Sequence, residues 1–257
     1  MATWTMDPET FAALWYSDAN DRFPPPLKYL SRFRHEDDFA RFRDQVRAGY
    51  DRDEREAIEF AMHVLSKSRL RIEILGCTIK HRTSTGPEDA KEYRILGTAD
   101  HQRSVVAFQG GRADEYGDIT LHLLAPDSLP AQLVRSIPDC RPGREPTATF
   151  HPQDLDTERN ANARTTAGRS PREQYERLLG RRGDGYGIAR LYLGPLYTRP
   201  DPFRTVRWFD VTADGRYTET RGNHVTVRPT TRDDLTGRFA AWFETADKRL
   251  RESEPAW

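Results

Sequence analysis

The stretch from Arg207 to Pro229, RWFDVTADGRYTETRGNHVTVRP, leaves a chain few ways to fold. Two β-rich runs, Thr205–Val211 and Arg216–Arg221, flank Asp214-Gly215, a pair suited to the positive φ angles of a tight hairpin. Gly222-Asn223 supplies a second turn, after which Val225 and Val227 alternate with Thr226 and Arg228 until Pro229 closes the run. The pattern predicts a three-stranded meander. Directly after it, Thr231-Arg232-Asp233-Asp234 has the spacing of a capping box, and Leu235, Phe239, Trp242, Phe243, Ala246 and Leu250 then recur on one helical face. Three strands rarely stand alone in water, so this helix is expected to pack on the sheet and complete its core.

The same order occurs earlier in the chain. Asp7 and Pro8 open a helix carrying Phe11, Leu14 and Trp15, preceded by a short strand at Thr3–Met6. Helical spacing returns in Phe39, Phe42, Val46 and Tyr50, and again in Ile58, Ala61, Met62 and Leu65. Leu70, Ile72 and Ile74 then alternate as a strand, while Leu75, Cys77 and Ile79 continue with opposite parity. That change implies either a β-bulge near Leu75-Gly76 or a strand buried on both sides. Glu92–Ala99, Arg103–Gln109 and Asp118–Leu124 read as further strands, and Asp127 or Ser128 is positioned to cap a helix through Leu129, Leu133, Val134 and Ile137. This group, Leu70–Ile137, mirrors Tyr186–Leu250 at an offset of roughly 110 residues, right for a duplicated half-domain. The expected fold is α+β: a pseudo-twofold duplicated module with a central antiparallel sheet flanked by two helical bundles. One domain spans 1–257, made of halves at about 1–137 and 170–257. A polar linker, 138–169, joins them and is expected to be partly disordered across Asp156–Gly168. Ser170-Pro171-Arg172-Glu173 caps the helix that leads into the second half.

Forty basic residues balance forty acidic ones, which argues against a dedicated nucleic-acid binder. No apolar run approaches the ~20 residues needed to cross a bilayer, and Asp7 and Glu9 spoil a signal-peptide profile, so no membrane insertion and a cytoplasmic location are expected. Two cysteines, Cys77 and Cys140, fit a reduced compartment. The seven histidines (His35, His63, His81, His101, His122, His151 and His224) show no metal-ligand spacing, and no Gly-x-Ser-x-Gly elbow exists. The glycine run Gly180–Gly187 leaves a helix and enters a strand, the reverse of a phosphate-binding loop. No catalytic, metal or cofactor-binding residue is therefore expected. The segment Lys80–Lys91 stands out instead, because it is longer than hairpin closure requires and long loops in compact domains tend to carry function.

The Gly-Arg-Arg-Gly-Asp-Gly-Tyr-Gly run, Trp208-Phe209-Asp210, Asp214-Gly215-Arg216-Tyr217 and Val225–Pro229 together resemble the EspG family of type VII (ESX) secretion chaperones. Leu14-Trp15 and the prolines before Leu27 extend the similarity over nearly the whole chain. The resemblance implies a cytoplasmic, non-catalytic chaperone that binds the PPE subunit of a PE–PPE heterodimer and keeps it soluble for export. It also implies that the loop after the first long strand and the C-terminal helix touch the partner. Here these are His81, Arg82, Thr83, Ser84, Thr85, Gly86, Pro87 and Glu88, with Arg238 and Lys248 on the helix. The competing expectation is a small-ligand-binding or enzymatic α+β domain that uses the sheet face as a pocket floor, with convergent polar groups in a concavity.

Overall fold

The computed structural model describes residues 2–156, 170–194, 196–198 and 200–252. In chain order it forms β1 (Ala2–Met6), α1 (Pro8–Trp15), α2 (Glu36–Ala48), α3 (Arg52–Lys67), β2 (Leu70–Thr78), β3 (Lys91–Ala99), β4 (Ser104–Gly111), β5 (Tyr116–Leu124) and α4 (Leu129–Ser136). There follow β6 (Ala148–Phe150), α5 (Pro152–Leu155), α6 (Pro171–Leu179), β7 (Gly183–Leu193), β8 (Arg204–Val211), β9 (Gly215–Arg221), β10 (Val225–Pro229) and α7 (Arg232–Glu252). Helix starts follow their caps. The Asp7 carboxylate accepts from the amides of Glu9 and Thr10, Asp51 from that of Glu54, and Ser170 and Glu173 close a reciprocal box. Thr231 and Asp234 do the same for α7, each accepting the other's amide at 3.1 and 2.8 Å.

The strands join in one antiparallel sheet, ordered β1-β5-β4-β3-β2-β7-β8-β9-β10-β6. On each side of the sheet's centre an edge strand, β1 or β6, precedes in sequence a meander that starts at the centre and steps outward, and then a helix, so the order is the same read from either edge. The seam is the pairing of β2 with β7, unbroken from Leu70 opposite Leu193 to Thr78 opposite Gly185. On one face α4 and α7 cover the seam, burying Ile72, Ile74, Ile95, Val106, Leu133, Ala189, Leu191, Val206, Trp208 and Phe239. Each of the Val, Leu, Ile and Phe side chains among them contributes about 1.5–3 kcal/mol by leaving water. On the other face α1 and α3 cover the first half through Phe11, Trp15, Ile58, Leu65, Leu96 and Leu121. A smaller cluster of Phe150, Leu178, Val211, Tyr217, Val225 and Val227 closes the second half.

Four expectations change. The pairing of β2 with β3 runs without a shift from Leu70 opposite Ala99 to Thr78 opposite Lys91, so there is no bulge at Leu75-Gly76 and β2 presents apolar side chains to both faces. Gly76 is needed because a Cβ there would lie 2.2 Å from the Tyr93 hydroxyl. The hairpin loop is Thr212–Asp214 with the positive φ, 61°, on Ala213. Gly215 sits within β9, where a Cβ would meet the Pro142 carbonyl at 2.4 Å. Neither Asp127 nor Ser128 caps α4: a 3-10 turn, Pro126–Ser128, runs straight into it and Ser128 makes no side-chain cap bond. Finally, residues 138–156 of the expected linker pack against the second half. They supply the edge strand β6, and Arg141 and Gly143 bond the backbone of Arg216. Of the stretch expected to be disordered, all but Asp156 lies outside the described residues.

Candidate docking surface

Strand alternation puts Leu75 and Cys77 of β2, Tyr186 and Ile188 of β7, and Arg207 and Phe209 of β8 on one face. Register partners share a face, and Leu75 lies opposite Ile188, Cys77 opposite Tyr186, Ile188 opposite Arg207, and Tyr186 opposite Phe209. This is the face that α1 and α3 cover at one end and α6 at the other; between them the seam is covered at Arg71, which bonds the carbonyls of Gly194 and Thr198, and bare from Leu75 to Cys77. Tyr186 is 63% exposed and Leu75 37%, while Ile188, Cys77 and Phe209 are half-buried and Arg207 is exposed. Glu92 and Arg94 border the patch, hydrogen-bonded to one another, with the Arg94 guanidinium 5.4 Å from the Tyr116 ring centre. An open apolar strip with a charged border suits contact with a protein surface better than enclosure of a small molecule.

At the end of this strip, residues 79–90 connect β2 to β3. Two contacts fasten the loop to the start of β7: the Ile79 amide donates to the Asp184 carbonyl at 2.8 Å, and Lys80 pairs with the Asp184 carboxylate. The loop is organised around buried Asp89, which accepts from the Thr85 amide (3.0 Å), the Thr85 hydroxyl (3.2 Å) and Arg112 (2.7 Å). The Thr85 amide, followed by Arg112 and the Thr85 hydroxyl against the opposing effect of burial, holds the Asp89 carboxyl below its ordinary value. His81 is spent inside the loop, its two ring nitrogens at 3.2 Å from the Thr83 hydroxyl and 2.8 Å from the Asp89 carbonyl. Gly86, at φ 144°, makes the bend before Pro87.

The structure therefore divides the residues expected at the site. His81, Thr83 and Thr85 build the loop, whereas the exposed side chains of Arg82, Ser84 and Glu88 have no internal partner among the described residues. Arg238 and Lys248 are not brought together: ten helical residues set the two about 15 Å apart on α7, which packs on the face of the sheet opposite the strip. Arg238 is half-buried, and burial together with neighbouring Arg228 lowers its pKa; Lys248 is exposed and 3.9 Å from Glu252. The bare strip itself was missed. Its signal was the parity change at Leu75 and Cys77, which places apolar side chains on a second face.

The alternative of a pocket floored by the sheet is not favoured. A concavity of about 740 Å³ lies at a corner between α3, α4 and α7, taking only Leu70 and Ala99 from the sheet. Both cysteines are free; burial raises the pKa of Cys77 and pushes Cys140 up to about 11, so neither is a thiolate near neutral pH. No cluster of three potential metal ligands occurs among the described residues, and none of their helices is long and apolar enough to cross a membrane.

Residues 7–241 match the model of the EspG family. No curated protein sequence matches the chain. Among solved structures, the fold is similar to the Mycobacterium tuberculosis type VII secretion system chaperone EspG5, determined in complex with the PE25–PPE41 dimer. The TM-score is 0.51 at 14% identity, covering 91% of this chain and 93% of that one.

Proposed function

This chain belongs to the EspG family, and from that premise we propose that it is a type VII secretion chaperone that holds the PPE subunit of a PE–PPE heterodimer on the bare seam of its sheet. The observation that carries the reading is the partly exposed strip of Leu75, Tyr186, Ile188 and Phe209, left open between two helical covers on that face. EspG5, whose fold this chain shares, was solved with such a dimer bound. An apolar strip at the centre supplies affinity by excluding water, and the exposed loop side chains Arg82, Ser84 and Glu88 at its end supply register and selectivity.

The chaperone acts by binding rather than by catalysis, and it does so in the cytoplasm before export. Family membership supports both statements, and an open surface in place of an enclosed site supports the first. The test is co-expression with a PE–PPE pair, scored by co-purification. Tyr186→Glu with Ile188→Glu is expected to abolish capture while leaving the melting temperature unchanged, because both side chains already face solvent in part. Full capture by this variant overturns the assignment of the surface.

A further inference from the structure

The two edges of the sheet are protected unequally. β6 is only three residues long and is bracketed by Pro146 and Pro152, which cannot donate to a further ladder. β1 is guarded at one end alone, by Asp7 and Pro8, and at five residues it is the longer of the two edges. Its pairing with β5 is continuous from Ala2 opposite Leu123 to Met6 opposite Ile119, and the sequence Ala-Thr-Trp-Thr-Met carries no charge and no proline. An edge of that kind is a template for another strand.

The side chains indicate which strand. Ala2-Thr3-Trp4-Thr5-Met6 is nearly palindromic about Trp4. A twofold axis there sets Thr3 opposite Thr5 of the second copy, Trp4 opposite Trp4, and Ala2 opposite Met6. Threonine–threonine and aromatic pairs are among the favourable cross-strand combinations, and a twofold contact must be self-complementary. Thr3 and Thr5 are exposed and already extend a polar row across the sheet, 3.0 Å from His122 Nδ1 and from the Thr120 hydroxyl. Trp4 is half-buried against the core under α1, leaving ring surface for a second ring to cover. Zero net charge, forty cations against forty anions, removes the repulsion that keeps many proteins apart.

We propose that the free edge of β1 is a self-association surface, pairing antiparallel with β1 of a second copy about an axis at Trp4 and joining two sheets into one. A five-residue contact falls well short of the ~1,000 Å² typical of stable complexes, so the dimer forms in the micromolar range or weaker.

Sedimentation equilibrium on the full chain tests this with two double variants. The wild type is expected to shift from monomer to dimer as concentration rises into the high micromolar range. T3K/T5K sets lysine against lysine across the axis and stays monomeric, with the same thermal melt as T3K/T5E, which loses the same two hydroxyls. T3K/T5E sets lysine against glutamate and recovers the dimer. A wild type that remains monomeric throughout overturns the proposal, and this is the result expected if the edge captures a strand of another protein instead. A T3K/T5K variant that dimerises like the wild type also overturns it. T3C/T5C provides a second measurement independent of the lysines: mild oxidation is expected to yield covalent dimers above the background from Cys77 and Cys140, and failure to do so overturns the register.

Discussion

At the scale of single residues, the motif that most identifies this chain has a structural task. The Asp214-Gly215-Arg216-Tyr217 quartet clamps the segment after α4. Buried Arg216 makes a two-pronged pair with Asp210 at 2.7 and 2.8 Å and donates to the Pro138 carbonyl at 2.9 Å. Tyr217 donates to Asp214 and receives the Glu145 amide, and Asp214 also receives the Arg144 amide at 2.8 Å. Breaking a buried pair strands the remaining charge, so Asp210→Ala is expected to cost about 3–5 kcal/mol, read by denaturant unfolding. Burial alone would raise the Asp214 pKa, but bonds from Tyr217, the Arg144 amide and Arg181 outweigh it and leave the carboxyl below its ordinary 3.8. A depressed carboxylate stabilises the fold above its unfolded pKa, and the contribution fades as pH falls through the folded one. The melting difference between wild type and Asp214→Asn is therefore expected to be constant near neutrality, to begin shrinking as pH falls through 3.8 and to go on shrinking until the folded pKa is passed; a gap that persists unchanged in acid would contradict it. The sequence marked this quartet as a turn and could go no further, because the partners of Asp214 and Tyr217 at Arg144 and Glu145 lie some seventy residues away.

At the scale of elements, what was legible depended on whether the cause was local. The caps of α1, α6 and α7 are written in two to four consecutive residues, and each formed as its spacing predicted. The strand β6 was unreadable because its reason for being a strand, the open side of β10, lies elsewhere in the chain. The loop at residues 79–90 was visible by length, yet its interior was not. Asp89 turns His81 and Thr85 into supports rather than free donors. This separation makes its role testable. Arg82→Ala/Ser84→Ala/Glu88→Ala removes only exposed side chains without internal partners and is expected to weaken PE–PPE capture by up to about tenfold, near 1.4 kcal/mol, with no change in melting. Asp89→Asn is expected to weaken capture too, but by loosening the loop, seen as faster amide exchange at Thr85. Unaltered capture in the triple variant would reduce the loop to a connector.

At the scale of the whole molecule, we propose that the chain is a single domain built from two related halves, about 1–137 and 170–257, whose stability is shared. The halves meet along the full length of β2 and β7, and a single core draws Ile72, Ile95 and Leu133 from the first and Leu191, Trp208 and Phe239 from the second. Neither half can lose that core without exposing the apolar face of the other, so cooperativity should cross the seam. Trp208 is the probe of choice: it is 1% exposed, and its indole N–H donates to the Tyr93 hydroxyl of the first half at 3.2 Å. Truncating a buried aromatic costs about 3–5 kcal/mol, so Trp208→Ala is expected to lower the melting temperature sharply. If the halves are one unit, hydrogen exchange in the variant accelerates in β3, β4 and β5 of the first half as much as in β8 and β9 of the second, since both sets open through the same global event. If the loss of protection stays within β8, β9 and β10 while β3 to β5 keep their wild-type rates, the seam joins two independent units and the single-domain reading fails.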